Sequence, residues 1–527
     1  MKKVLTFILI LLSFSLSSNA QKKGLMSINQ NDLKSYMTFF ASDEMSGRET
    51  GTVSNDAAAL YIKTTIMRLG LKPAPGAEDY LQKMPLVSTK INEKNSFLKI
   101  NNSQGEVIFS TDSLTTLIRP SADVEFPGRL VFAGYGYADT STGYNDLSNV
   151  NLKDKIVLIM TRSPETVKSD SAKGVFVNDL EAPKIMSIIG SGAKVVLQVY
   201  DPLNSFRDAY SSGLAEMTSS DAVTFKDQPE SQVPAQLSYV TQNAANELLR
   251  STGSNLKQMQ DKIASTGKSV SAELQDITVT VKTSVENKEF SGSNVIGIVE
   301  GSDPVLRNEC IIYTAHFDHT GLNENGEINN GADDDASGSM ALLEVAEAFM
   351  KLKKNPLRTI VFAWVNGEEK GLLGSTYYTS YPAMPLEKTL VDINLDMVGR
   401  SKMAADTGKL YGYDMDVTRS GEIYVYTAHE SSELLKILNV SAQESGIAVK
   451  DMGKDLPFGS SDHVPFMQKG IPAFLFHTGI HADLHGPGDD VEKIDFDKME
   501  RVSKMVFLIG YKVANQRERI LIDNPAK

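Results

Sequence analysis

Seven histidines stand at positions 316, 319, 429, 463, 477, 481 and 485, and the first 315 residues contain none. Any histidine chemistry therefore belongs to the C-terminal part. Acidic residues gather there in short motifs: His316-Phe317-Asp318, Gly331-Ala-Asp-Asp-Asp-Ala-Ser-Gly338, Gly367-Glu368-Glu369, Asn394-Leu395-Asp396 and His485-Gly-Pro-Gly-Asp489. Imidazole and carboxylate are zinc ligands, and one catalytic zinc takes three of them while keeping a position open. Two histidines, two aspartates and a glutamate exceed that need. They suit two ions about 3.5–4 Å apart that share a carboxylate. Strand residues two apart face the same side, so Asp318 is placed to hold the imidazole of His316, as carboxylates beside ligand histidines do. The adjacent Glu368 and Glu369 diverge and divide labour: one binds metal and the other acts as general base. Which of Asp333, Asp334 and Asp335 faces the cavity stays open at this level.

Other chemistries fail on inspection. His429-Glu430 lacks a second histidine, because position 433 is Glu. Gly267-Lys268-Ser269 lacks the earlier glycine of a phosphate loop, whose place is taken by Lys262, and no Gly-x-Ser-x-Gly elbow occurs. Cys310 is the single cysteine and sits in an apolar run, which excludes a disulfide framework and predicts an inert buried thiol.

The elements that must position these motifs are legible as strands alternating with helices from Ser293 onward, the signature of a largely parallel α/β sheet. Strands are expected at 294–299, 310–315, 359–364, 390–395 and 473–476. Helices are expected at 337–352 and from the N-cap Asp495 onward, where Met499, Val502, Val506, Ile509 and Val513 share a face. In an open α/β sheet, ligands bind outside the carboxyl ends of the strands, and the acidic motifs follow those ends. Upstream, 55–69 reads as a helix stopped by Gly70. The region from about 98 to 283 has short strands, notably 129–133, 155–160 and 193–199, between Gly-, Asp-, Asn- and Ser-rich turns.

The chain has 527 residues, 41% hydrophobic and 23% charged, with a net charge of −13. That length suggests two to four domains, and the acidic balance argues against nucleic acid or an anionic membrane as partner. Lys2-Lys3, the apolar run Val4–Leu16 and the small residues Ser18-Asn19-Ala20 read as a signal peptide. The run is too short for a membrane span, which needs about 20 apolar residues. Export to the periplasm or exterior is expected, with the mature chain starting near Gln21.

As an ordered set, His316-x-Asp318, Gly-Ala-x-Asp334-x-Ala-Ser-Gly, Gly-Glu368-Glu369, Asn-Leu-Asp396-Met-Val-Gly and His485-x-Pro-x-Asp489 resemble the co-catalytic dizinc aminopeptidase family, which also contains glutamate carboxypeptidases and is related to glutaminyl cyclases. The leader Ala41-Ser-Asp-Glu-Met-Ser-Gly-Arg48, with Gly51-Thr52 and Gly70-Leu-Lys-Pro73, is similar to that of secreted members. The resemblance implies an α/β domain with a doubly wound, mostly parallel (mixed) sheet flanked by helices, and an inserted β-rich protease-associated domain. The implied boundaries are 1–20 for the signal peptide, 21–105 and 285–527 for the peptidase domain, and 106–284 for the insert. Two Zn2+ ions are implied, one on His316, Asp334 and Asp396 and the other on Asp334, Glu369 and His485. Glu368 would be the general base, Asp318 the partner of His316, and the Asp334–Asp335 peptide bond cis. Leu484 stands where family members usually carry a tyrosine that stabilises the tetrahedral intermediate. His463, in Ser461-Asp462-His463-Val-Pro-Phe466, is the candidate replacement. Its alternative is a structural role, the role expected of His477 and His481, while His319 and His429 are expected to be structural or surface residues.

The implied function is a secreted zinc-dependent exopeptidase that removes N-terminal residues from peptides through a bridging zinc-bound hydroxide. Alternatives are a single-zinc glutaminyl cyclase, a carboxypeptidase of the same family, and a non-catalytic binding protein on the same scaffold. Side-chain specificity and oligomeric state are not readable.

Overall fold

A computed structural model of the chain describes residues 21–168, 180–203, 221–227, 235–410, 413–426, 428–452 and 461–524. The expected signal peptide lies outside the described residues. The chain divides into two units, one formed by 1–86 with 290–527 and the other by 87–289. The second starts at 87, where 106 was expected for the insert, and its strand Phe97–Asn102 pairs with Ala272–Thr283.

Seven strands of the first unit's sheet are β1 (Val285–Val299, of which 290–299 lie in this unit), β2 (Cys310–His316), β3 (Thr359–Val365), β4 (Thr389–Leu395), β5 (Glu422–Tyr426), β6 (Ala448–Asp451) and β7 (Ala473–His477). They lie in the spatial order β1-β3-β2-β4-β7-β5-β6. The central pairs β3–β2, β2–β4 and β4–β7 are parallel, whereas β1–β3 and β7–β5 are antiparallel. The expected mixed, mostly parallel sheet is present. Every residue of β2, β3 and β4 is buried, as strands covered on both faces require.

Alternate residues of each strand feed separate cores. Ile311, Tyr313 and Ala315 of β2, with Ile360, Phe362 and Trp364 of β3, join one cluster. Cys310 and Ile312, with Val361, Ala363 and Val365, join another that contains Tyr378 and Phe466. Each fully buried Val, Ile or Phe contributes about 1.5–3 kcal/mol. The first face is covered by helices α1 (Gln30–Phe40), α2 (Val53–Leu69), α3 (Gly338–Met350) and α5 (Phe496–Asn515), with α4 (Ser432–Ser445) packed on α5.

Local signals set the helix ends. The Thr52 side chain accepts from Asn55 N, and Gly70 closes α2 at φ 89°. The Asp495 side chain accepts from Lys498 N to start α5. That helix approaches β2 so closely that a Cβ at Gly510 would lie 1.9 Å from Tyr313 Oη.

In the unit 87–289, eight strands form a mixed sheet that contains Ile156–Met160 and Val195–Val199, where strands were expected at 155–160 and 193–199. Helices Glu181–Gly190, Gln242–Leu249 and Leu256–Thr266 were not expected there. The last starts with a capping box, the Asn255 side chain accepting from Gln258 N while Gln258 reaches back. That Asn-x-x-Gln was the legible signal.

Candidate metal centre

The acidic motifs converge at the carboxyl ends of β2, β3 and β4. His316 is the last residue of β2, Glu368 and Glu369 follow β3, and Asp396 follows β4. Asp334 lies in the loop entering α3, with the Asp334–Asp335 peptide bond cis. His485 lies beyond β7 at φ 55°, a left-handed conformation that costs a non-glycine residue free energy and clusters at functional sites.

Distances sort these residues into two groups. His316 Nε2 is 3.2 Å from Asp334 Oδ1 and 3.6 Å from Asp396 Oδ1. His485 Nε2 is 3.2 Å from Asp334 Oδ2 and 3.3 Å from Glu369 Oε2. Ligands bonded at 2.0–2.1 Å around a tetrahedral ion are separated by about 3.3 Å, so these edges fit two ions. Asp334 offers one oxygen to each group, as a bridging carboxylate must. His316, Asp334 and Asp396 are buried, and His485 is the most exposed of the set at 27%.

Neighbouring groups hold the ligand loops in place. Asp489 Oδ2 accepts from Asp333 N at 2.9 Å and from Asp334 N at 3.1 Å. Asp318 accepts from Glu368 N and Glu369 N and from Thr50 Oγ1 at 3.1 Å. His316 Nδ1 lies 3.2 Å from the Asp318 carbonyl and 3.8 Å from its carboxylate. The backbone oxygen therefore orients the ring, while the carboxylate organises the glutamate turn. The fully buried Arg48 donates to four carbonyls, those of Phe40, Phe317, Asn330 and Gly331.

Electrostatics separates the two glutamates. Burial and the charges of Glu369, Asp396 and Asp462 hold Glu368 well above the usual carboxylate range, despite the opposing pull of His316. Burial also pushes Glu369 up, but the His485 charge and hydrogen bonds from His319 and His485 prevail and bring it to about 2. Asp334 is held well below its ordinary value by His319, His316 and His485, against burial. Glu368 is suited to carry a proton and Glu369 to remain an anionic ligand.

His463 is fully buried, burial lowers it to about 4, and neither ring nitrogen has a hydrogen-bond partner among the described residues. Its ring lies 5.4 Å from that of Tyr426. Leu484 is half-buried. His477 Nδ1 accepts from Gly479 N, and His429 Nε2 lies 3.5 Å from Asp451. Cys310 is buried, and burial raises its thiol to about 11. The sequence reading missed His319, which is fully buried with Nδ1 2.9 Å from Glu369 Oε1. Its position directly after Asp318 was the available signal. The missing information was the Glu369 rotamer, which depends on three strands at once.

Fold and site together give a mixed α/β protein with a carboxylate–imidazole cluster at its strand ends that could hold metal. Residues 294–509 match the model of peptidase family M28. Among curated relatives, aminopeptidase YwaD of Bacillus subtilis (strain 168) is 27% identical over 241 residues, 44% of this chain and 46% of the relative. A probable leucine aminopeptidase of Trichophyton verrucosum is 30% identical over 220 residues, 40% and 56% of the two chains. The chain thus spans about half the length of these relatives. Among solved structures, an aminopeptidase from Aneurinibacillus sp. strain AM-1 matches 96% of this chain and 98% of its own, at TM-score 0.58 and 21% identity. BSAP, a zinc aminopeptidase from Bacillus subtilis, matches 94% and 98% at TM-score 0.50 and 18% identity. At those identities the likeness is one of fold.

Proposed function

We propose that the protein is an exported zinc-dependent exopeptidase of the aminopeptidase type, with two zinc ions held by His316, Asp334 and Asp396 and by Asp334, Glu369 and His485. The observation that carries this reading is Asp334, with one oxygen 3.2 Å from each of two histidines that belong to separate ligand groups. Bound zinc would polarise a scissile carbonyl and make an attacking water more acidic. Glu368 takes a proton from that water and returns it to the leaving amine nitrogen, a two-way task that its raised pKa favours.

Among the described residues, four basic side chains near the ligand loops are each engaged. Arg48 serves carbonyls, Lys370 pairs with Glu49 at 2.8 Å, Arg400 pairs with Asp483 at 2.8 Å, and Lys493 pairs with Asp483. Among the described residues, this engagement of the neighbouring cations supports a free amine over a free carboxyl end. The fully buried His463 is the candidate to take the part of a tyrosine at Leu484. The signal-like residues 1–20 support export, and among the described residues no helix is long and apolar enough to cross a membrane. The unit 87–289 fits the role of a protease-associated insert.

The test is a panel of N-terminally free and N-blocked dipeptides, assayed with added zinc and with chelator. Hydrolysis confined to free-amine substrates and abolished by chelation is expected. Cleavage only of blocked substrates with a free carboxylate would make the enzyme a carboxypeptidase. Ammonia release from N-terminal glutamine without hydrolysis would make it a cyclase.

A further inference from the structure

His319 follows Asp318 and lies against the second ligand group with its side chain fully buried. Its Nδ1 is 2.9 Å from Glu369 Oε1 and 3.7 Å from Asp334 Oδ2, while its Nε2 has no hydrogen-bond partner among the described residues. These distances separate two roles. Ligands sharing a tetrahedral zinc stand about 3.3 Å apart, as His485 does from Asp334 and Glu369. A separation of 2.9 Å is instead a hydrogen-bond length.

Glu369 is therefore held at both oxygens: Oε2 faces His485 across the metal position, and Oε1 faces His319. An ionised carboxylate only accepts, so Nδ1 carries the proton. The buried Nε2, which has nothing to accept a proton from it, is left with its lone pair. The ring is locked from behind by Gly331 at φ 58°, where a Cβ would stand 2.5 Å from the imidazole Cγ and Cδ2.

We infer that His319 is a positioning residue, whose Nδ1–H holds Glu369 as a ligand through one oxygen only and thereby sets the affinity of the ion shared by Asp334, Glu369 and His485. This rests on the two-ion reading of the site. The substitutions that test it exploit amide geometry: an asparagine nitrogen reaches the place of Nδ1, whereas a glutamine nitrogen reaches toward that of Nε2.

The measurement is calorimetric titration of the chelator-stripped full chain with zinc, for the wild type, His319→Asn, His319→Gln and His319→Ala. Helicity and the thermal midpoint of each stripped variant are recorded alongside. Loss of such an outer partner typically weakens metal binding 10- to 100-fold. That loss is expected at one of two sites in His319→Gln and His319→Ala, whereas His319→Asn should stay within about threefold of the wild type. Equal weakening in all three variants would overturn the inference, since it would mark His319 as a ligand or a packing residue. So would unchanged binding in all three. If His319→Ala fails to fold, the asparagine–glutamine contrast decides alone. A wild type that takes up a single ion would overturn the two-ion reading instead, and the same contrast at that ion would still decide the role of His319.

Discussion

Glu368 and Glu369 carry the same functional group one peptide bond apart, yet their surroundings drive them in opposite directions. Glu369 meets two imidazoles and falls to about 2, whereas Glu368 meets other carboxylates and rises. Under the proposed mechanism, Glu368→Gln should lower kcat by about 100- to 10,000-fold, the usual value of a general base. Zinc content by elemental analysis should stay unchanged, and a parallel loss of zinc would reassign Glu368 as a ligand. His481 supplies a pH prediction. Burial, with Arg400 adding to it and Asp333 opposing, lowers it from 6.5 to about 4. Between those values the unfolded chain binds the extra proton, so stability rises with pH and is lost as pH falls from about 6.5 to 4. The loss is at most about 3 kcal/mol for this group. Urea midpoints across that range should fall less steeply in His481→Gln than in the wild type.

At the scale of elements, the leader before α2 ties the ligand loops together. Arg48 reaches the carbonyls of Phe317 and of Asn330 and Gly331, so one guanidinium fixes both the His316 turn and the Asp334 loop. Asn55 at the start of α2 donates to the Arg48 carbonyl and to Asn366 beside the glutamates. Arg48→Met would strand buried carbonyls at about 1–3 kcal/mol each. A loss of at least about 3 kcal/mol in urea denaturation is expected, together with weaker zinc retention on dialysis. Arg48→Lys should recover only part of it, because lysine lacks the planar fork. Sequence made the helices and strands of this unit legible, since apolar periodicity and caps such as Thr52, Gly70 and Asp495 are local. The task of Arg48 was not legible, because its partners lie as much as 283 residues away.

At the scale of the whole molecule, each unit has its own cores. Two clusters belong to 1–86 with 290–527, and two to 87–289. The unit 87–289 also buries a bidentate Arg162–Asp201 pair and a Lys184–Glu181 pair. Calorimetry of the full chain should therefore resolve two unfolding transitions. Because a ligand stabilises only the unit that binds it, chelation should lower one midpoint and leave the other in place. A shift of both together would mean that the units unfold as one.

The confinement of histidine to the last two-fifths of the chain, the order of the acidic motifs and the strands that carry them are properties of residue type and short-range spacing. The sequence by itself therefore determined which carboxylate and imidazole motifs follow the strand ends. Tertiary structure decided which oxygen of each carboxylate faces which ring. It gave the His316 ring to a backbone carbonyl rather than to the Asp318 carboxylate, and it brought His319 into the site. Those choices depend on side-chain rotamers set by packing between segments far apart in the chain, and no local period records them.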